Sequence, residues 1–176
     1  MPVIECGLCV LRAWRPRDLD SLVRHANNPN VAATLRDRFP FPYTRTAGRL
    51  WLKAALALRP ATALAIAVDG EAVGGVGIEI GQDVNRHTAE LGYWLGEACW
   101  NRGIATAAVQ GFIPWAAQTF GLQRMTAKVF ENNPASARVL EKCGFEREGI
   151  LRKNALKDGQ LLDEWVYGVI LEPIEP

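Results

Sequence analysis

The chain has 176 residues, 49% of them hydrophobic, which is enough for one well-cored domain and short for two. Its formal net charge is +1, with acidic and basic residues interspersed, so the basic footprint of a direct nucleic-acid binder is missing. Met1 to Val10 lacks the basic start and long apolar core of a signal peptide, and later apolar stretches are interrupted well before membrane-spanning length; a cytoplasmic protein acting away from membranes is expected.

In that compartment Cys6, Cys9, Cys99 and Cys143 are expected to be reduced. Cys6-Gly-Leu-Cys9 matches C-x-x-C, the pattern of a zinc half-site or a redox pair. No second cysteine pair accompanies it, and His25 and His87 stand apart, so no metal is expected. The run Ile4 to Ala13 reads as a first strand. Pro16-Arg17-Asp18 then opens a helix with Leu19, Leu22, Val23 and Ala26 at helical spacing, ending near Asn27-Asn28-Pro29. Asn30 to Tyr43 is a short helix or a loop. Pro40 and Pro42 forbid regular helix there, while Phe39, Phe41 and Tyr43 supply an apolar surface that serves either as core cover or as the wall of a substrate pocket.

Thr44 or Thr46 caps the next helix, which passes through Leu50, Ala54 and Leu58 and stops at Arg59-Pro60. Ala63 to Val68 and Ala72 to Ile80, joined at Asp69-Gly70, form a hairpin, and Thr88 to Leu95 adds a third strand. Ile104 to Phe120 is a helix with an apolar stripe at Ala105, Ala108, Val109, Phe112, Ala116 and Phe120, and Pro114 predicts a kink in its second half. Leu122 to Phe130 reads as a strand. Asn133 caps a helix over Pro134 to Lys142 that closes at Gly144. Phe145 to Lys157 and Gln160 to Ile170 make a last hairpin across Asp158-Gly159.

Strand Thr88 to Leu95, the long helix and strand Leu122 to Phe130 form a crossover, which makes the two strands parallel neighbours. At their C-terminal edge, where open α/β sheets bind ligands, lies Trp100-Asn101-Arg102-Gly103-Ile104-Ala105. A helix N-terminus offers unpaired N–H groups and the positive end of its dipole, and Gly and Ala let a phosphate come close. The segment therefore reads as a phosphate cradle. Neither the Lys-Ser/Thr of a nucleoside triphosphate loop nor the spaced glycines of a dinucleotide fingerprint is present.

Three segments carry a resemblance to a known family: Ala89-Glu90-Leu91-Gly92-Tyr93-Trp94-Leu95, then Trp100 to Thr106, then Asn133-Pro134-Ala135-Ser136 through Cys143-Gly144-Phe145. Together they are similar to the GNAT superfamily of acetyl-CoA-dependent N-acetyltransferases, and within it to the RimJ/RimL-like ribosomal-protein-alanine acetyltransferases. The resemblance implies one GNAT domain over residues 1–176 with an α/β (α+β) fold. Its mixed, mostly antiparallel central sheet would have about seven strands with a splayed parallel pair, flanked by about four helices.

The resemblance also implies that acetyl-CoA is the co-substrate, its pyrophosphate held by the amides of Arg102, Gly103, Ile104, Ala105 and Thr106. Trp100 stands where the family commonly has Gln or Arg, and Asn101 where Gly is frequent; a cradle built from main-chain N–H groups tolerates both. The pantetheine arm would contact Tyr93, Trp94, Leu95, Asn133 and Ser136, with the Leu95 N–H as oxyanion donor. Glu90 is the expected base, acting directly or through water, with Glu79 and Asp83 in reserve. Ser136 is expected near the thiol as a cofactor contact that could protonate the leaving sulfur. Tyr167 matches a subgroup residue but reads foremost as core, and Lys128 occupies the place where some relatives carry a Glu, which argues against that arrangement here. Phe39, Phe41 and Tyr43 would wall the acceptor pocket. The acceptor is expected to be a primary amine, foremost the N-terminus of a ribosomal or other protein, with a small amine or a non-catalytic acyl-CoA binder as alternatives; a homodimer is compatible with the resemblance.

Overall fold

In the computed structural model, residues 2–171 are described. The strands are β1 (Val3–Glu5), β2 (Val10–Arg12), β3 (Ala63–Val68), β4 (Glu71–Ile80), β5 (Thr88–Leu95), β6 (Arg124–Phe130), β7 (Glu146–Lys157) and β8 (Gln160–Ile170). The helices are α1 (Leu19–Ala26), α2 (Pro29–Ala32), α3 (Arg45–Ala57), α4 (Ile104–Phe120) and α5 (Pro134–Lys142). The strands follow the hydrogen-bonded order β1-β2-β3-β4-β5-β6-β8-β7 in one 8-stranded sheet. β5 and β6 pair in parallel, whereas the ladders β1/β2, β2/β3, β3/β4, β6/β8 and β7/β8 are antiparallel.

The strand count exceeds the expected seven because the run Ile4 to Ala13 is not continuous. It folds back on itself at Cys6-Gly7-Leu8-Cys9: Gly7 takes a left-handed φ of 73°, and the Cys6 N–H donates to the Cys9 carbonyl at 2.9 Å. The fifth helix is α2, a single turn whose N-cap Asn28 accepts from the N–H groups of Asn30 and Val31. Of the two threonines expected to cap α3, Thr44 does so, its hydroxyl accepting from the Ala47 N–H.

The chain divides into two compact units, Met1–Gly77 with Tyr93–Phe112, and Ile78–Gly92 with Ile113–Pro176. In the first, Trp14, Leu22, Ala26, Tyr43, Leu52, Ala65 and Ala72 form a buried cluster. α3 approaches α1 closely because Gly48 carries no side chain; a Cβ there would lie 2.9 Å from Leu19 Cδ1. Beneath them Arg12 and Asp18 make a buried bidentate pair at 2.7 and 2.8 Å, and the same carboxylate accepts from the Arg15 N–H, so neither charge is left uncompensated. In the second unit Met125, Ala127 and Val129 on one face of β6 are buried, as is Phe130 at its end, and α5, with Ala137 and Leu140 buried, packs against this strand.

Candidate functional site

β5 ends at Leu95, and the chain then turns through a short 3-10 segment, Glu97–Cys99, into Trp100. Asn101 (φ 58°) and Gly103 (φ 76°) are both left-handed, which coils the main chain tightly just before α4. The first α-helical bond runs from the Ala107 N–H to the Gly103 carbonyl at 3.0 Å, so the amides of residues 102–106 precede it. Arg102 and Gly103 face solvent, while Ile104 is 2% exposed and anchors the helix start in the core.

The turn between β1 and β2 supports this start from below. The Cys9 thiol lies 4.0 Å from the Ile104 carbonyl oxygen, and a Cβ on Gly103 would stand 3.3 Å from Leu8 Cδ1. The positive end of a 17-residue helix, preceded by the exposed residues Arg102 and Gly103 and anchored by buried Ile104, suits an anion such as a pyrophosphate.

On β5, Tyr93 and Trp94 are half-buried and Leu95 is buried. Trp94 packs edge-on against Phe39 (5.3 Å between ring centroids), and Phe39 in turn against Tyr43 (4.9 Å). The expected pocket wall is thus divided. Phe41 faces solvent next to a cis peptide bond to Pro42, Phe39 bridges two rings, and Tyr43 belongs to the core. Burial pushes the Tyr43 phenol up to about 12, and its hydroxyl has no hydrogen-bond partner.

Trp100, which the sequence offers only as an unusual head of the turn, donates its indole Nε1–H to the Leu95 carbonyl at 2.7 Å. Glu97, which the sequence gives no motif to mark, accepts from Asn28 Nδ2 at 2.6 Å and Asn30 Nδ2 at 2.9 Å. Neither contact follows a sequence pattern, since each joins residues whose proximity the fold creates.

In the second unit the parallel ladder pairs Thr88 with Arg124, Ala89 with Met125 and Glu90 with Thr126. Glu90 is half-buried, and its Oε2 lies 3.5 Å from Lys128 Nζ on the neighbouring strand. The structure therefore puts the candidate base beside an ammonium group. Glu79 and Asp83 are both exposed. Asn133 caps α5, its Oδ1 accepting from the Ser136 N–H at 3.2 Å, and Ser136 is half-buried in the first turn. Tyr167 is 1% exposed; burial, and next its hydrogen bond to Glu141 at 3.1 Å, raise its pKa. Among the described residues no group of three or more His, Cys, Asp or Glu side chains could hold a metal ion, and no helix is long and apolar enough to cross a membrane. All four cysteines are free, and burial pushes the Cys9 thiol up to about 12.

Comparison with known proteins adds three relationships. A family described as "Acetyltransferase (GNAT) domain" matches residues 9–146. The L-amino acid N-acetyltransferase AaaT of Escherichia coli (strain K12) is 30% identical over 159 residues, covering 89% of this chain and 94% of that protein. The ribosomal-protein-serine acetyltransferase of the same organism is 35% identical over 85 residues, 48% of each chain. The chain spans about half the length of several other curated relatives, 49%, 56% and 46% of three Bacillus N-acetyltransferases. Among solved structures, RimJ of Mycobacterium smegmatis in complex with CoA-disulfide superposes with a TM-score of 0.80 at 27% identity, covering 98% of this chain and 87% of that one.

Proposed function

Since the chain belongs to the GNAT acetyltransferase family, we propose that it transfers the acetyl group of acetyl-CoA directly to a primary amine, with a protein N-terminal α-amine as acceptor. The observation that carries this reading is the tightly coiled turn at Asn101 and Gly103, whose exposed residues 101–103 lead directly into the N-terminus of α4. The amides of Arg102, Gly103, Ile104, Ala105 and Thr106 hold the CoA pyrophosphate. Tyr93, Trp94 and Leu95 contact the pantetheine arm, as do Asn133 and Ser136. The whole chain acts as one GNAT domain.

In the reaction the amine nitrogen attacks the thioester carbonyl, and a C–N bond forms as the C–S bond breaks. Leu95 N–H stabilises the oxyanion, Glu90 takes the amine proton, and the sulfur leaves as a thiolate that takes a proton from solvent to give the CoA thiol. Ser136 is a cofactor contact near that sulfur. Phe39, Phe41 and Tyr43 stand on the acceptor side, where Phe41 offers an open face and Tyr43 fixes the base of the loop. A second reading, acetylation of a small amine such as a free amino acid, is favoured by the match over 94% of an L-amino acid N-acetyltransferase.

Gly103→Asp tests the cradle. The new carboxylate faces the pyrophosphate and its Cβ crowds Leu8, so acetyl-CoA affinity by calorimetry is expected to fall at least tenfold, about 1.4 kcal/mol. Unchanged affinity would refute the cradle. Thiol release measured over a panel of N-terminal peptides and small amines separates the two acceptor readings.

A further inference from the structure

The indole bond of Trp100 spans the turn from the head of the cradle back to the end of β5. The Leu95–Gly96 peptide is consequently held at both of its polar atoms. Its carbonyl accepts from Trp100 at 2.7 Å, and its N–H donates to the Val73 carbonyl at 2.8 Å. Behind it β4 runs close, because Gly74 has no side chain; a Cβ there would lie 3.0 Å from Leu95 Cα. The following 3-10 segment is clamped by Asn28 and Asn30 on Glu97. Trp100 itself is 36% exposed, so burial alone does not account for its orientation.

We infer that Trp100 is a positioning residue for the oxyanion donor at Leu95, an inference that rests on the acetyltransferase reading above. A donor stabilises developing charge only if it is aimed before the charge appears, because reorientation during the reaction would consume the gain. The indole bond restricts rotation of the peptide that follows Leu95, and so the conformational freedom of the residue whose N–H does the work. It also satisfies the Leu95 carbonyl, an acceptor on the same residue as the donor, whose partial negative charge would otherwise oppose an oxyanion.

Two substitutions remove the N–H while keeping an aromatic ring: Trp100→Phe, and replacement of Trp100 by benzothienylalanine, which is isosteric with tryptophan. In both, kcat is expected to fall about tenfold, less than the roughly hundredfold or greater cost of deleting an oxyanion donor outright, with the acetyl-CoA Kd unchanged. In the ligand-free protein the Gly96 amide resonance should move and its hydrogen exchange accelerate, which checks the brace without turnover. If the Phe variant does not fold, the isostere carries the test. Normal kcat in an active protein lacking the indole N–H, or a Kd and melting temperature that shift together with kcat, would overturn the inference. A wild-type protein that neither binds acetyl-CoA nor releases CoA would instead overturn the reading beneath it.

Discussion

Glu90, the base of the proposed reaction, lies 3.5 Å from Lys128. A carboxylate that takes a proton from an amine must be ionised and placed within reach, directly or through one water. Glu90→Gln keeps the size and removes the proton acceptor, so turnover is expected to drop roughly 10²- to 10⁴-fold while acetyl-CoA affinity changes little. Steady-state rates over a range of pH, set beside calorimetry, check this; a normal rate throughout would show that no base is needed there. Glu90 is singled out by the family resemblance of the segment Ala89 to Leu95. Its ammonium neighbour is not, because Lys128 is 38 positions away and meets it only through the parallel register of β5 and β6. The same holds for Trp100, whose bond to Leu95 depends on how the intervening turn coils.

Among elements, α4 and α5 were legible to their end residues, since Gly103 and Asn133 mark their starts and Gly121 and Gly144 their ends. The first hairpin was not. Cys6-Gly7-Leu8-Cys9 lacks the Asn-Gly or Asp-Gly pair that announces a tight turn, and the apolar run on either side looks unbroken. That hidden turn explains a glycine that helix propensity disfavours. Gly111 sits inside α4 where a Cβ would overlap the Cys6 sulfur, so the small residue is required by the hairpin packed against it. Gly111→Ala is expected to destabilise the protein by about 1–3 kcal/mol despite the better helix former, and Cys6→Ala in the same chain should restore most of the loss. Urea denaturation of the single and double variants measures the coupling; additive effects would rule the contact out.

For the molecule as a whole, the parallel pair followed from the crossover rule, whereas the order of the outer strands has no signature in the sequence, and Phe39, Phe41 and Tyr43 differ in exposure through packing that the sequence does not reveal. The charge pattern sets the acid limit. The hydrogen bond from His25, with Arg24, holds Glu71 below its usual pKa, and Arg124 does the same for Glu148. A carboxyl with a lowered folded-state pKa contributes stability that is present above its unfolded value and is lost as pH falls through the folded one. The melting temperature should therefore decline below about pH 4.5, the ordinary carboxylate value, and the decline should be shallower in Glu71→Gln and Glu148→Gln. Melting curves from pH 3 to 7 decide this; an identical slope in the variants would assign the acid loss to other groups.

The left-handed turn at Asn101 and Gly103 has a consequence for how this protein can vary over time. Under the proposed pyrophosphate grip, a ligand held by peptide N–H groups leaves few side chains for selection to preserve, so Arg102 and Ala105 can vary as long as the coil of the main chain survives. Constraint then falls on residues that never touch the ligand: Gly103 for its conformation, Ile104 for its anchor in the core, and Leu8 for its contact beneath the turn. A catalogue of substitutions would find the cofactor's grip written in the scaffold around it.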